Sequence, residues 1–318
     1  MPGWWARTGL VVFNPVAGAG RTDRMAADAV LRRCEQYVTD VTVVPTEYRG
    51  HAEELAAKAA ADGIDVVIAV GGDGTTRESA AGLVRASLAR PDGITGGPAL
   101  VNIPGGTANS VFREIWSDRP WEQALDAALG TSGPRIRRVD VARIVETGTL
   151  ALLGTGTGVV AEVLEAANRL GSVPGRDRYR LAVAETVRTA APYPLRVTVD
   201  GTVVHDGPTY LTNIGGGRYR SGQFKLMPLS VLDDGLLDIC VVSGDLPLPE
   251  LLHLTQDGSH VDRPQVVYTR GRRFVLERTD GSSLTCEYDG ESATGIASRC
   301  TVEILPGVLP VLAPSAEE

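Results

Sequence analysis

The chain has 318 residues, enough for two ordinary domains with a sizeable buried core. Apolar residues make up 43% and charged residues 22%, a globular composition that excludes wholesale disorder. With 31 basic against 39 acidic residues the net charge is −8, which excludes general nucleic-acid binding and membrane attachment by bulk charge.

In chain order, the first element is a short apolar strand over 10–13, stopped by Asn14-Pro15 and too short for a signal-peptide core. Helical spacing over 22–37, a strand over 41–44 and an Ala-rich helix over 51–61, closed by Gly63, follow. Residues 64–70 form a continuous β-branched run, the mark of a strand covered on both faces. A helix over 76–89, a strand over 99–103 and a helix over 121–129 complete a series of βα units. Such a series implies a parallel sheet with helices on both faces. The longest uncharged stretch, 93–112, is broken by glycines and prolines, so no segment offers the ~20 apolar residues of a spanning helix.

Beyond 130–134 (Gly-Thr-Ser-Gly-Pro) strand signals dominate, at 137–145, 195–199, 202–205, 209–214, 236–242, 272–276, 284–288 and 301–305. Helical stretches at 158–170 and 178–189 interrupt them, and Asp200-Gly201 marks a tight hairpin. The expected fold class is therefore α/β with two domains. Residues 1–134 form a parallel-sheet nucleotide-binding domain, 135–305 a β-rich antiparallel or sandwich domain with helices, and 306–318 a C-terminal tail. The four cysteines are scattered, and the four histidines show no metal-binding spacing. Reduced thiols and no zinc are expected, as in a cytoplasmic protein.

Three Gly-rich loops carry the chemical signal. Gly71-Gly72-Asp73-Gly74-Thr75 lies between a buried strand and a helix, where backbone N–H groups can approach a phosphate. Asp73 there is placed either to hold Mg²⁺ beside the phosphates or to cap the helix. Asn14 to Gly20 follows the first strand, and Pro104-Gly105-Gly106-Thr107-Ala108-Asn109 follows a later one. In an open parallel sheet such loops leave the same carboxyl edge, where ligands bind. Neither the dinucleotide G-x-G-x-x-G nor the P-loop pattern occurs. Asp233, Asp234 and Asp238 flank Gly235, a turn suited equally to a hard cation or to the surface. Asp289-Gly290-Glu291 reads alone as an ordinary hairpin turn.

These pieces in this order resemble the diacylglycerol kinase catalytic-domain family, which includes bacterial lipid kinases and sphingosine kinases. The resemblance runs from about residue 10 to 305. It implies ATP contacts from Asn14, Thr46, Gly71, Gly72, Asp73, Gly74, Thr75, Thr76, Arg77, Glu78 and Thr107. It implies a structural Mg²⁺ held by Asp234 with the backbone carbonyls of Val231 and Leu236, and Glu291 as proton acceptor with Asp289 beside it. Asp73 completes the expected catalytic set. The implied activity is γ-phosphoryl transfer from ATP to the hydroxyl of a lipid such as diacylglycerol. The expected setting is cytoplasmic, with peripheral contact at the inner face of the membrane and no nucleic-acid partner.

The chain departs from the family pattern at Ala19, where many bacterial members carry Lys and where Arg21 would replace the charge. It departs again at Arg77, in place of Asn, which either clamps a phosphate or crowds the contact an amide makes. The segment 169–188 carries five arginines against Asp177 and Glu185, a basic region that meets either anionic headgroups or solvent. Two other readings stay open: a small-molecule kinase on the same scaffold, of the NAD kinase type, and a nucleotide- or lipid-binding protein without turnover.

Overall fold

The computed structural model describes residues 6–19, 24–90, 97–130, 135–171, 173, 175–220 and 224–314. Residues 20–22 with Arg21, the segment 131–134, Ser172, Pro174 and 315–318 lie outside the described residues. The chain divides into two units, Met1–Val139 with Gly307–Glu318, and Asp140–Pro306.

The first unit contains β1 (Thr8–Phe13), α1 (Arg24–Cys34), β2 (Asp40–Pro45), α2 (His51–Ala61), β3 (Val66–Gly71), α3 (Asp73–Leu88), β4 (Ala99–Pro104), α4 (Ser110–Trp116) and α5 (Trp121–Leu129). Its strands pair in parallel in the order β2-β1-β3-β4. Every residue of β3 is buried, as its unbroken apolar run dictates for a strand covered on both faces. Helix α2 turns Ala52, Ala56 and Ala59 inward, at the i, i+4, i+7 positions of one face. Opposite, Gly82 of α3 lets the two backbones meet, since a Cβ there would stand 2.2 Å from the Glu53 carbonyl oxygen. Helix α5 is tied to α1 by Asp126, which pairs with the Arg33 guanidinium and accepts from the Tyr37 hydroxyl at 3.0 Å.

The second unit takes up the end of β5 (Arg135–Ile144) and continues through β6 (Thr149–Ala151), β7 (Thr155–Gly158), α6 (Val159–Arg169) and α7 (Gly175–Thr189). It goes on through β8 (Tyr193–Val199), β9 (Thr202–Gly215), β10 (Leu237–Ser243), α8 (Leu248–Leu254), β11 (Val266–Gly271), β12 (Arg273–Arg278), β13 (Cys286–Tyr288), β14 (Glu291–Ala293) and the start of β15 (Arg299–Ala313). The strands run β14-β13-β7-β9-β8-β12-β15, and β10 joins β9 to β11. The strands from β7 to β14 pair antiparallel with their neighbours, as β12 does with β15. The fold class is thus the expected one, an N-terminal parallel α/β part and a C-terminal antiparallel β-rich part. The Asp200-Gly201 hairpin forms with both residues at positive φ, as its sequence requires.

The C-terminal tail expected from residue 306 is a strand as far as Ala313. Val308, Leu309, Val311, Leu312 and Ala313 are buried, and Val311 lies opposite Leu100 in parallel register with β4. Pro306-Gly307 marks a bend, with Gly307 at φ 56°, and the apolar run after it returns the chain to the first unit. The four cysteines are all buried and none forms a disulfide.

Candidate functional site

The three Gly-rich loops of the first unit leave β1, β3 and β4, neighbours in a parallel sheet, at one carboxyl edge. They are knitted together by backbone. Asn14 donates its N–H to the Val70 carbonyl at 3.0 Å, and Gly105 donates to the Gly71 carbonyl at 2.7 Å. Thr46 donates to the Phe13 carbonyl at 2.8 Å, which brings the end of β2 to the same edge. Gly72 and Gly106 approach so closely that a Cβ on Gly106 would lie 2.4 Å from the Gly72 Cα. Asn14 Oδ1 accepts the Val16 N–H, and Asn109, at φ 51°, closes its loop through Gly106.

Asp73 is the first residue of α3, and its Oδ1 accepts the Val111 N–H at 3.0 Å. It therefore ties the β3 loop to the start of α4. The other residues of the stretch divide. Gly72, Asp73, Gly74 and Glu78 are half-buried and Thr107 is exposed, whereas Thr75, Thr76 and Arg77 are buried in the first turns of α3. The Thr76 hydroxyl donates back to the Gly72 carbonyl at 3.3 Å, and Arg77 lies 3.9 Å from the Glu78 carboxylate. What this edge offers an anion is backbone N–H groups at the head of a 16-residue helix, with its dipole behind them.

In the second unit, Asp289 and Gly290 form the tight turn between β13 and β14, with φ values of 46° and 81°. The Asp289 carboxylate accepts three backbone N–H groups, from Leu152 at 2.6 Å, Leu153 at 2.8 Å and Gly154 at 3.0 Å. Its oxygens are thus engaged in fixing the turn that precedes Glu291. Glu291 is the first residue of β14, half-buried, opposite Tyr288.

Sequence reasoning missed Glu287, two residues before Asp289. It is buried, its Oε2 accepts the Gly290 N–H at 3.0 Å, and burial pushes its carboxyl up to about 7. The Arg220 guanidinium and the Gly290 N–H oppose that rise, and the Asp289 charge adds to it. Arg220, also missed, donates to the carbonyls of Leu153, Gly217 and Tyr219 and to Asn213 Oδ1. A charged residue interrupting the apolar strand Cys286-Glu287-Tyr288 was the available signal.

At the acidic turn, Asp234 Oδ1 accepts the Leu236 N–H at 3.0 Å and its Oδ2 lies 3.2 Å from Arg270 Nη1. Asp140, buried, accepts the Gly235 N–H at 2.8 Å, and Gly235 stands at φ 79°. Among the described residues, no three His, Cys, Asp or Glu side chains are grouped to hold a metal. One carboxylate and two carbonyls suit a hard cation by type, but the carboxylate here faces Arg270, which a cation would have to displace. Burial raises the Asp238 carboxyl above the usual carboxylate range.

Within 169–188, Arg169 pairs with Glu185 at 3.0 Å and Arg180 with Asp177 at 3.6 Å. No helix among the described residues is long and apolar enough to cross a membrane.

Residues 8–144 match the family described as the diacylglycerol kinase catalytic domain, and 154–313 match the YegS C-terminal NAD kinase beta sandwich-like domain. A diacylglycerol kinase of Mycobacterium tuberculosis is 30% identical over 306 residues, covering 95% of this chain and 93% of the relative. The Salmonella gallinarum protein named "Probable lipid kinase YegS" is 28% identical over 263 residues, 82% of each chain. Among solved structures, a diacylglycerol kinase from Bacillus anthracis superposes with a TM-score of 0.74 at 21% identity, covering 98% of both chains. An NAD kinase from Archaeoglobus fulgidus, solved with ATP, shares the fold more distantly, with a TM-score of 0.51 at 13% identity over 97% and 94% of the chains.

Proposed function

The chain belongs to the diacylglycerol kinase catalytic-domain family, and on that premise we propose that it transfers the γ-phosphoryl group of ATP to a lipid hydroxyl, diacylglycerol being the model acceptor. The observation that carries the proposal is the set of three Gly-rich loops joined at one edge of the parallel sheet, ahead of α3. Under this reading the phosphates rest on the backbone N–H groups of residues 72–75, with Asn14, Thr46 and Thr107 around the nucleotide. The side chains of Thr75, Thr76 and Arg77 are buried at the start of the helix. Mg²⁺ accompanies ATP and neutralises phosphate charge.

In the transfer step the acceptor hydroxyl oxygen forms a bond to the γ-phosphorus, and the bond from that phosphorus to the bridging oxygen of ADP breaks. The hydroxyl proton passes to the Glu291 carboxylate, which Asp289 holds in place through the turn. Glu291→Gln tests this assignment. A general base contributes typically ~10²–10⁴-fold, so kcat should fall by about that factor while the KM for ATP stays as it was. Wild-type kcat in the Gln variant across the pH range would remove Glu291 from the mechanism.

Asp234, with the Val231 and Leu236 carbonyls, is proposed as a second cation position, in competition with Arg270. Arg270→Ala should then make the melting temperature rise with added Mg²⁺ more steeply than in the wild type. An identical response to Mg²⁺ and to chelator in both proteins would leave Asp234 as an ion-pair partner only. The protein is read as cytoplasmic with peripheral membrane contact, because a lipid acceptor must be met at a bilayer by a chain whose described helices do not cross one.

A further inference from the structure

Behind the Asp289-Gly290 turn, two buried polar atoms have no hydrogen-bond partner: Glu287 Oε1 and Asn213 Nδ2. Glu287 is 5% exposed and Asn213 0%, so bulk water does not satisfy them. Both residues stand directly opposite Gly156 of β7, Glu287 on one neighbouring strand and Asn213 on the other. Residues directly opposite in a ladder share a face, so both side chains rise on the side from which Gly156 contributes none. A Cβ at Gly156 would lie 3.1 Å from Asn213 Nδ2 and 2.5 Å from Val160 Cγ2. Two interstrand spacings of ~4.8 Å separate the Glu287 and Asn213 backbones.

The orientation of the amide is not arbitrary. Asn213 Oδ1 accepts from Arg220 Nη2 at 2.5 Å, which leaves the NH₂ side for the hollow. Arg220 donates there and to three carbonyls. The other Glu287 oxygen accepts the Gly290 N–H. The hollow is therefore one hydrogen bond away from the turn that carries Glu291.

We propose that Glu287 Oε1 and Asn213 Nδ2 form a built site for a single hydroxyl-sized group, which donates to the carboxyl oxygen and accepts from the amide. An alcohol O–H and a water molecule both have this pairing of donor and acceptor, whereas an anion lacks the donor and an ammonium lacks the acceptor. The charge next to the hollow is balanced by Arg220 and opposed by Asp289, the two charged groups that act on Glu287. The site stands on the geometry of the second unit and does not depend on which acceptor the protein phosphorylates.

High-resolution crystals of the wild-type protein, grown without lipid and then with dioctanoylglycerol, test the site directly. A water between the two atoms in the lipid-free crystal identifies the group as water. Density that appears only with dioctanoylglycerol places its single hydroxyl here, and the proton then faces Glu287 rather than Glu291. Glu287→Gln then raises the KM for dioctanoylglycerol by ~10–100-fold, the weight of one hydrogen bond to a charged group, without changing that for ATP. A hollow empty in both crystals, with Glu287 Oε1 and Asn213 Nδ2 bonded to protein groups instead, overturns the proposal. The crystallographic result reads the site whether or not the chain proves to phosphorylate a lipid.

Discussion

At the scale of single residues, the same side-chain type does different work according to what donates to it. Asp289 receives three amide N–H groups and fixes a turn. Asp73, legible in the sequence as either a phosphate-edge carboxylate or a cap, accepts the Val111 N–H and so joins two loops. Glu287 receives one N–H and is otherwise desolvated, which lifts its carboxyl to about 7. The consequence for stability has a definite sign. A carboxyl whose folded pKa lies above its unfolded value contributes stability below the unfolded pKa and loses it as pH rises through the folded one. Between the ordinary glutamate range and pH ~7, the wild type should therefore lose roughly 3 kcal/mol relative to Glu287→Gln, which does not titrate. Denaturant melts of the two proteins from pH 4 to 8 measure this. A difference that stays flat with pH would show that Glu287 titrates like a solvated carboxylate.

At the scale of elements, the long and strongly periodic segments were readable and the short ones were not. Helix α2 and strand β3 follow directly from their apolar patterns, and α5 starts and stops where its sequence indicates. Helix α3 starts three residues before its apolar spacing does, because Asp73-Gly74-Thr75 present no apolar face for periodicity to detect. Helix α4, seven residues long behind a Gly-rich loop, and the three-residue strands β6 and β14 carry too few positions to show a period. Strands expected at 202–205 and 209–214 are one strand, β9, whose ladder with β8 runs through Gly207-Pro208 with a register shift near Val197. The loops make a sharper prediction. Gly106→Ala places a Cβ 2.4 Å from the Gly72 Cα, backbone against backbone, and should cost ~1–3 kcal/mol and weaken ATP binding. Gly74→Ala meets nothing within 4 Å and should fold at least as stably as wild type. Equal melting temperatures for the two variants would mean that the loops are not held by the Gly72–Gly106 contact.

At the scale of the molecule, a parallel α/β part followed by an antiparallel β-rich part was legible because the two halves differ in period and in turn chemistry. The return of 308–313 to the first unit was not, because a parallel pairing with β4 leaves no local mark beyond an apolar run. The Gly-rich loops were legible because close backbone approach, as between Gly72 and Gly106, leaves no room for a side chain. The juxtaposition of Glu287 and Asn213 was hidden because it comes from a three-strand register that no local spacing encodes. Phosphorylation of a lipid alcohol is the activity proposed for this family member. Incubation with γ-labelled ATP, Mg²⁺ and mixed micelles of dioctanoylglycerol, a sphingoid base or a polyprenol, with NAD in parallel, measures it most directly. Label is expected in the organic-extractable lipid, and none in NAD. Label transferred to NAD, or released only as inorganic phosphate with every lipid alcohol, would contradict the proposal.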